Sequence, residues 1–177
     1  MRREPGMSQD PAAKIETLHA FIDELDARLG ALDEAEIEAL FRNFADEVQP
    51  WLIGLFTAIE ESHQIESEFL GECVFHLYAL QTYFDERLQS PAPAFSKDDV
   101  LAAIDAVDLF FAKPGADGWD HPVLTVEWAR LFFTIWDGCL DELTEEGSVD
   151  ETLRGDLVRF FLVVLTLFAD RFPKAAI

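Results

Sequence analysis

The chain has 177 residues, of which half are hydrophobic and sixteen are Phe, too apolar for a disordered acidic polymer and enough for one sizeable core. Its 35 Asp and Glu stand against 13 Lys and Arg, a formal charge of -22. That field disfavours direct contact with nucleic-acid phosphates or anionic lipid, and it speeds encounter with a basic partner or a cation.

Residues 1–10, MRREPGMSQD, hold two arginines followed by no apolar run, so they read as a flexible extension and neither a leader nor an anchor, with Met7 as a second start. The first helix is predicted over roughly 11–29, where Ile15, Leu18, Ile22, Leu25 and Leu29 recur at spacings of three and four and Gly30 stops the run. Asp33 with Glu36 three residues on reads as a capping box for a second helix. Its stripe is Ile37, Leu40, Phe41, Phe44 and Val48, and Pro50 ends it. A short third helix over about 51–61 is expected to face inward with Trp51, Leu52, Leu55, Phe56 and Ile59.

The fourth helix, about 65–88, stops before the Pro/Ala connection QSPAPAF. Ser96 and Asp99 then cap a fifth carrying Val100, Leu101, Ile104, Val107 and Phe111. The connection KPGADGWDHP follows, in which Trp119, Asp120 and His121 form either an exposed recognition cluster or a helix-start turn capped by Asp120. The sixth helix places Leu124, Trp128, Leu131, Ile135 and Leu143 near one line, flanked by Phe132 and Trp136, and stops at Gly147. Ser148 and Glu151 suggest a capping box for the seventh, which is apolar almost all the way round and ends before Pro173. Such a helix belongs at the centre of a bundle, or its far side meets a second copy of the chain. The prediction is therefore an all-α, single-domain bundle of six or seven helices over 11–172, with the apolar C-terminal helix at its centre and a short tail over 173–177. No repeat of constant period appears, and the run FFLVVLTLF is too short to span a bilayer. Cys73 and Cys139 fall on predicted core stripes without a CxxC pattern, which fits a reducing cytoplasm.

Chemistry-bearing patterns are sparse. The pairs Glu16/His19 and Glu60/His63 each have the E-x-x-H spacing by which helical carboxylate proteins hold paired metals. Glu16 points away from its apolar stripe, however, and Glu127 in the sixth helix falls on a polar face. There is no phosphate loop, nucleophile elbow or cofactor motif, so no catalytic residue, metal or cofactor is assigned. The acidic surface instead suggests an interaction protein that binds, and neutralises or regulates, a basic macromolecule in the manner of an inhibitor, immunity protein, antitoxin or nucleic-acid mimic. The binding face is expected on helices 2 and 4: Glu36, Asp46 and Glu47 on one, Glu68 and Glu72 with the aromatics Phe75 and Tyr83 on the other. Two aromatics among carboxylates mark a contact surface or a second packing interface. The competing reading is a metal enzyme built on the E-x-x-H pairs, or an apolar-ligand carrier with a pocket lined by Trp128, Phe132, Trp136 and Phe161. At pH 7 the carboxylates repel one another, so raising salt from low levels to about 0.1 M, where the screening length is about 10 Å, should raise the melting temperature. A flat response in thermal unfolding would mean that the charge is already compensated.

Overall fold

The computed structural model describes residues 11–63, 67–88 and 94–172, with the backbone alone at 11, 67–70, 72, 87 and 88. The expected extension over 1–10, the tail over 173–177 and the QSPAPAF prolines lie outside the described residues. Seven α-helices and no strand occur among the described residues: α1 Pro11–Gly30, α2 Glu34–Asn43, α3 Pro50–His63, α4 Ser67–Leu88, α5 Lys97–Phe111, α6 Glu127–Glu145 and α7 Glu151–Arg171. The chain is an all-α bundle. No described helix is long and apolar enough to cross a membrane.

The helix ends follow local chemistry. Asp33 accepts from the Glu36 amide while the Glu36 carboxylate accepts from the Asp33 amide, and Ser96 and Asp99 do the same at α5. At the end of α6, Gly147 takes φ +80, a left-handed conformation that only glycine adopts without strain. It lets the amides of Gly147 and Ser148 reach back to the carbonyls of Thr144 and Leu143. One π-helical turn, Phe44–Val48, joins α2 to α3, and two 3-10 turns, Gly118–Asp120 and Pro122–Thr125, lead into α6.

The core is organised around α7, which packs against α3, α5, α6 and both 3-10 turns. Leu157, Phe160, Phe161, Leu162, Val163, Val164, Leu165 and Phe168 are all buried, covering the helix except for a narrow strip with Arg159, Thr166 and Asp170. Each such side chain removed from water stabilises the fold by about 1.5–3 kcal/mol. Trp136 stacks on Phe161 with ring centroids 4.6 Å apart, and Phe84 meets Trp128 edge-on at 4.8 Å. The four rings expected to line an apolar pocket are therefore buried together in the core. Gly118 sits so close to α7 that a β-carbon there would lie 2.9 Å from Cγ1 of Val158. The 3-10 turn thus needs glycine to seat.

Buried polar groups tie the helices in register. Gln49, 1 % exposed, donates to the Gln81 carbonyl at 2.9 Å and accepts from the Phe95 amide at 3.3 Å, joining the start of α3, the middle of α4 and the entry to α5. Asp137, 8 % exposed on α6, accepts from the Trp119 indole at 3.0 Å and from Arg154 of α7 at 2.7 Å. A carboxylate at that depth is tolerated because it is paired and hydrogen-bonded.

Several local expectations are corrected by packing. Trp51 is exposed, because Leu52 and Phe56 take the inward face of α3. On α5 the buried positions are Val100, Ala103 and Val107, and Leu101 faces out. Asp120 caps nothing in α6: Asp117 caps the first 3-10 turn, His121 the second, and α6 begins seven residues after Asp120. The cap of α7 is Asp150, whose side chain accepts from the Leu153 amide, so Ser148 is free to close the turn after α6. Within this core, Phe160→Ala should lower unfolding free energy by about 3–5 kcal/mol through lost burial and the cavity left behind. A denaturant titration showing little change in midpoint would place this face of α7 outside the core.

Candidate functional site

Of the residues expected to bind a partner, Glu36 is exposed but engaged in its capping box, and Asp46 and Glu47 are exposed on the π-helical turn. The side chains of Glu68 and Glu72 lie outside the described residues. Tyr83 is a correction. It is 4 % exposed, enclosed by Phe21 of α1 at 5.5 Å, Phe132 of α6 at 5.3 Å and Phe84 at 5.6 Å. The second aromatic face of α4 at that level is a packing interface, because α1 and α6 flank the helix. Helices 2 and 4 do meet, through edge-on contacts of Tyr78 with Phe41 and Phe44 at 5.6 Å.

Phe75 keeps a place at a surface. It is partly buried and lines a cleft of about 640 Å³ where α1, α2, α4 and α6 converge. Such a volume falls in the range of about 300–1,000 Å³ typical of ligand and anchor pockets. Helix α1 contributes Asp26 and Leu29, α2 contributes Ile37 and Phe41, and α4 contributes Phe75 and His76. The last wall is α6, with Cys139, Glu142, Leu143 and Glu146. The lining therefore combines an apolar floor with the carboxylates of Asp26, Glu142 and Glu146, and among the described residues it contains no lysine or arginine.

His76 connects the cleft to the core, its ring lying edge-on to Trp136 at 5.1 Å and against Phe75 at 5.6 Å. Burial pushes its pKa down to about 4, and it makes no hydrogen bond to a described residue. It is neutral at pH 7. Cys139, expected in the core stripe, is half-buried and shares the cleft with it. An imidazole with so low a pKa is a weak base for activating a thiol near neutral pH, so the pair favours packing and recognition over nucleophilic chemistry.

The E-x-x-H pairs do not converge. Glu16 and His19 are exposed on α1, whereas His63 of α3 lies 2.8 Å from the carboxylate of Asp156 on α7, with its Nε2 committed to that contact. Glu127 pairs with Lys14 at 2.6 Å, joining α1 to α6. Among the described residues no group of three or more His, Cys, Asp or Glu is arranged to hold a metal ion. The cleft itself was not legible along the chain, since its lining is drawn from four helices separated by up to a hundred residues. The only advance signal was an aromatic, Phe75, on the polar side of α4.

Because the folded state holds His76 neutral while the unfolded chain titrates it near 6.5, this residue's contribution is full above pH 6.5 and is lost as pH falls towards 4. Between pH 7 and pH 5 the wild-type protein should lose about 2 kcal/mol more stability than His76→Gln, measured by denaturant unfolding at each pH. Equal slopes for the two proteins would show that His76 titrates normally in the fold. No protein-family model, curated protein or solved structure matches the chain, so what the cleft can take follows from its own lining.

Proposed function

We propose that the protein is an acidic interaction module whose four-helix cleft takes a basic, amphipathic segment of a protein partner and thereby neutralises or regulates it. The observation that carries this reading is the composition of the cleft wall: apolar and aromatic side chains on the floor, carboxylates at Asp26, Glu142 and Glu146, a neutral His76, and no lysine or arginine among the described residues. An amphipathic helix laid in such a groove buries its apolar anchors against Leu29, Phe41 and Phe75 while its lysines or arginines face the carboxylates. The anchors supply most of the desolvation energy, and the carboxylates steer approach and reject acidic competitors. The charge of the whole chain acts in the same direction. Exposed Asp46 and Glu47 on the π-helical turn extend this field next to α2.

The test uses a synthetic Leu/Lys amphipathic helical peptide, a scrambled peptide of the same composition, and a Leu/Glu peptide of the same pattern. The Leu/Lys peptide should bind in a salt-dependent way, the scrambled peptide at least about tenfold more weakly, and the Leu/Glu peptide not measurably. Glu142→Lys with Glu146→Lys should slow association about tenfold at low salt, while Phe75→Ala should speed dissociation about tenfold. Stopped-flow kinetics unchanged in both variants, with the helical circular dichroism intact, would remove the cleft from the binding surface.

A further inference from the structure

A second cavity, of about 420 Å³, lies between α5, the 3-10 turns and α7, and its chemistry is the opposite of the acidic cleft. Its walls are apolar, with Leu109 and Phe110 from α5, Val123 and Val126 from the second 3-10 turn and its exit, and Ala169 from α7. One corner is different. His121, 7 % exposed, was expected in an exposed recognition loop and is instead buried, its ring against Phe110 at 4.8 Å. Its Nδ1 accepts the Val123 amide at 3.3 Å, which leaves the ring proton on Nε2 in the neutral form. Burial, and then the nearby Lys113 ammonium, hold the pKa of His121 below its ordinary value, so that neutral tautomer persists at pH 7. No described residue accepts from Nε2–H, in a ring more than nine-tenths buried that lines the cavity.

Lys113 lines the same corner, with its ammonium 5.5 Å from the centre of the Phe110 ring and no carboxylate partner among the described residues. In a chain with 35 acids and 13 bases, an ammonium without an acid beside an imidazole N–H open to the cavity is a local inversion of the molecule's charge. Both groups are donors available to a ligand in the cavity. The other polar lining groups are not paired with either donor: the Thr166 hydroxyl donates to the Leu162 carbonyl at 2.7 Å, and Asp170 is exposed, at a wall shared with the adjoining depression. That depression, of about 290 Å³, also shares Ala106 and continues the groove past Ala102 and Ala103.

We propose that this cavity binds an apolar monocarboxylate, its head group accepting from His121 Nε2–H and pairing with Lys113, and its hydrocarbon lying against Phe110, Val123, Val126 and Ala169. A single negative charge matches one ammonium and one neutral N–H. A phosphate ester would bring more charge than the one ammonium neutralises. A neutral alcohol would leave Lys113 unpaired. This site is independent of the acidic cleft and of any basic partner bound there.

Decanoate is the probe, titrated below its micelle concentration by calorimetry and followed by NMR of the imidazole N–H. Decanoate should bind with one-to-one stoichiometry and at least tenfold more tightly than 1-decanol. It should also shift the His121 Nε2–H resonance. Lys113→Gln, at an exposed position, should weaken decanoate at least fivefold and leave decanol unchanged. Ala106→Phe, which fills the groove from an exposed position, should abolish binding of both. Unsaturable decanoate binding, equal affinity for the alcohol, an unmoved His121 resonance or full binding by Ala106→Phe would each overturn the proposal.

Discussion

The structure depends on enclosing α7. A helix apolar almost all the way round cannot rest on a surface, because each exposed apolar face would cost about 25 cal/mol per Å² of area left in water. Three helices and two 3-10 turns close around it, and the remaining features are consequences of that closure. Gly118 is glycine because a turn has to seat on Val158, and Asp137 lies deep because Trp119 and Arg154 must be anchored where the turn and α7 meet α6. Aromatic side chains fill the remaining volume: Trp136 on Phe161, and Phe84 among Trp128, Phe168 and Phe172.

Closure around one apolar helix also separates the acid from the core and concentrates it outside. The chain has 35 acidic residues against 13 basic ones, and the ion pairs among the described residues mainly link helices: Lys14 with Glu127, Arg28 with Glu86, Arg154 with Asp137 and Asp141. The exposed pairs among these contribute little to stability, about 0–1 kcal/mol each, whereas Asp137 is buried and depends on its partner. They bear more on registry between neighbouring helices than on folding energy. The unpaired remainder includes the carboxylates of Asp26, Glu142 and Glu146, which stand exposed around the apolar floor of the four-helix cleft.

Two histidines show how burial sets chemical character within this field. His76 and His121 are both desolvated and both held neutral, yet they face opposite surroundings. His76 opens onto carboxylates and sits edge-on to Trp136, so it serves as an uncharged part of a wall. His121 uses one nitrogen to cap a 3-10 turn and presents the other, as a donor, beside Lys113. The same residue type thus yields an uncharged part of an acidic wall in one place and a donor corner in another. The difference comes entirely from neighbours contributed by distant segments.

What the chain determined by itself is the part governed by local physics. The seven helices, the stops at Gly30, Pro50 and Gly147, the capping boxes at Asp33 and Ser96, and the central position of α7 all follow from periodicity and from hydrogen bonds between residues three or four apart. Tertiary structure decided which of two faces won wherever a helix had two. Tyr83 is buried because α1 and α6 cover the second aromatic face of α4, and Trp51 is exposed because Leu52 and Phe56 sit better against α7. His121 is buried because the connection before α6 folds into two 3-10 turns that α7 covers. Neither the acidic cleft nor the second cavity could be read along the chain: the cleft draws its wall from four helices distant in sequence, and the corner of Phe110, Lys113 and His121, though local in sequence, becomes a cavity only where α7 closes over it.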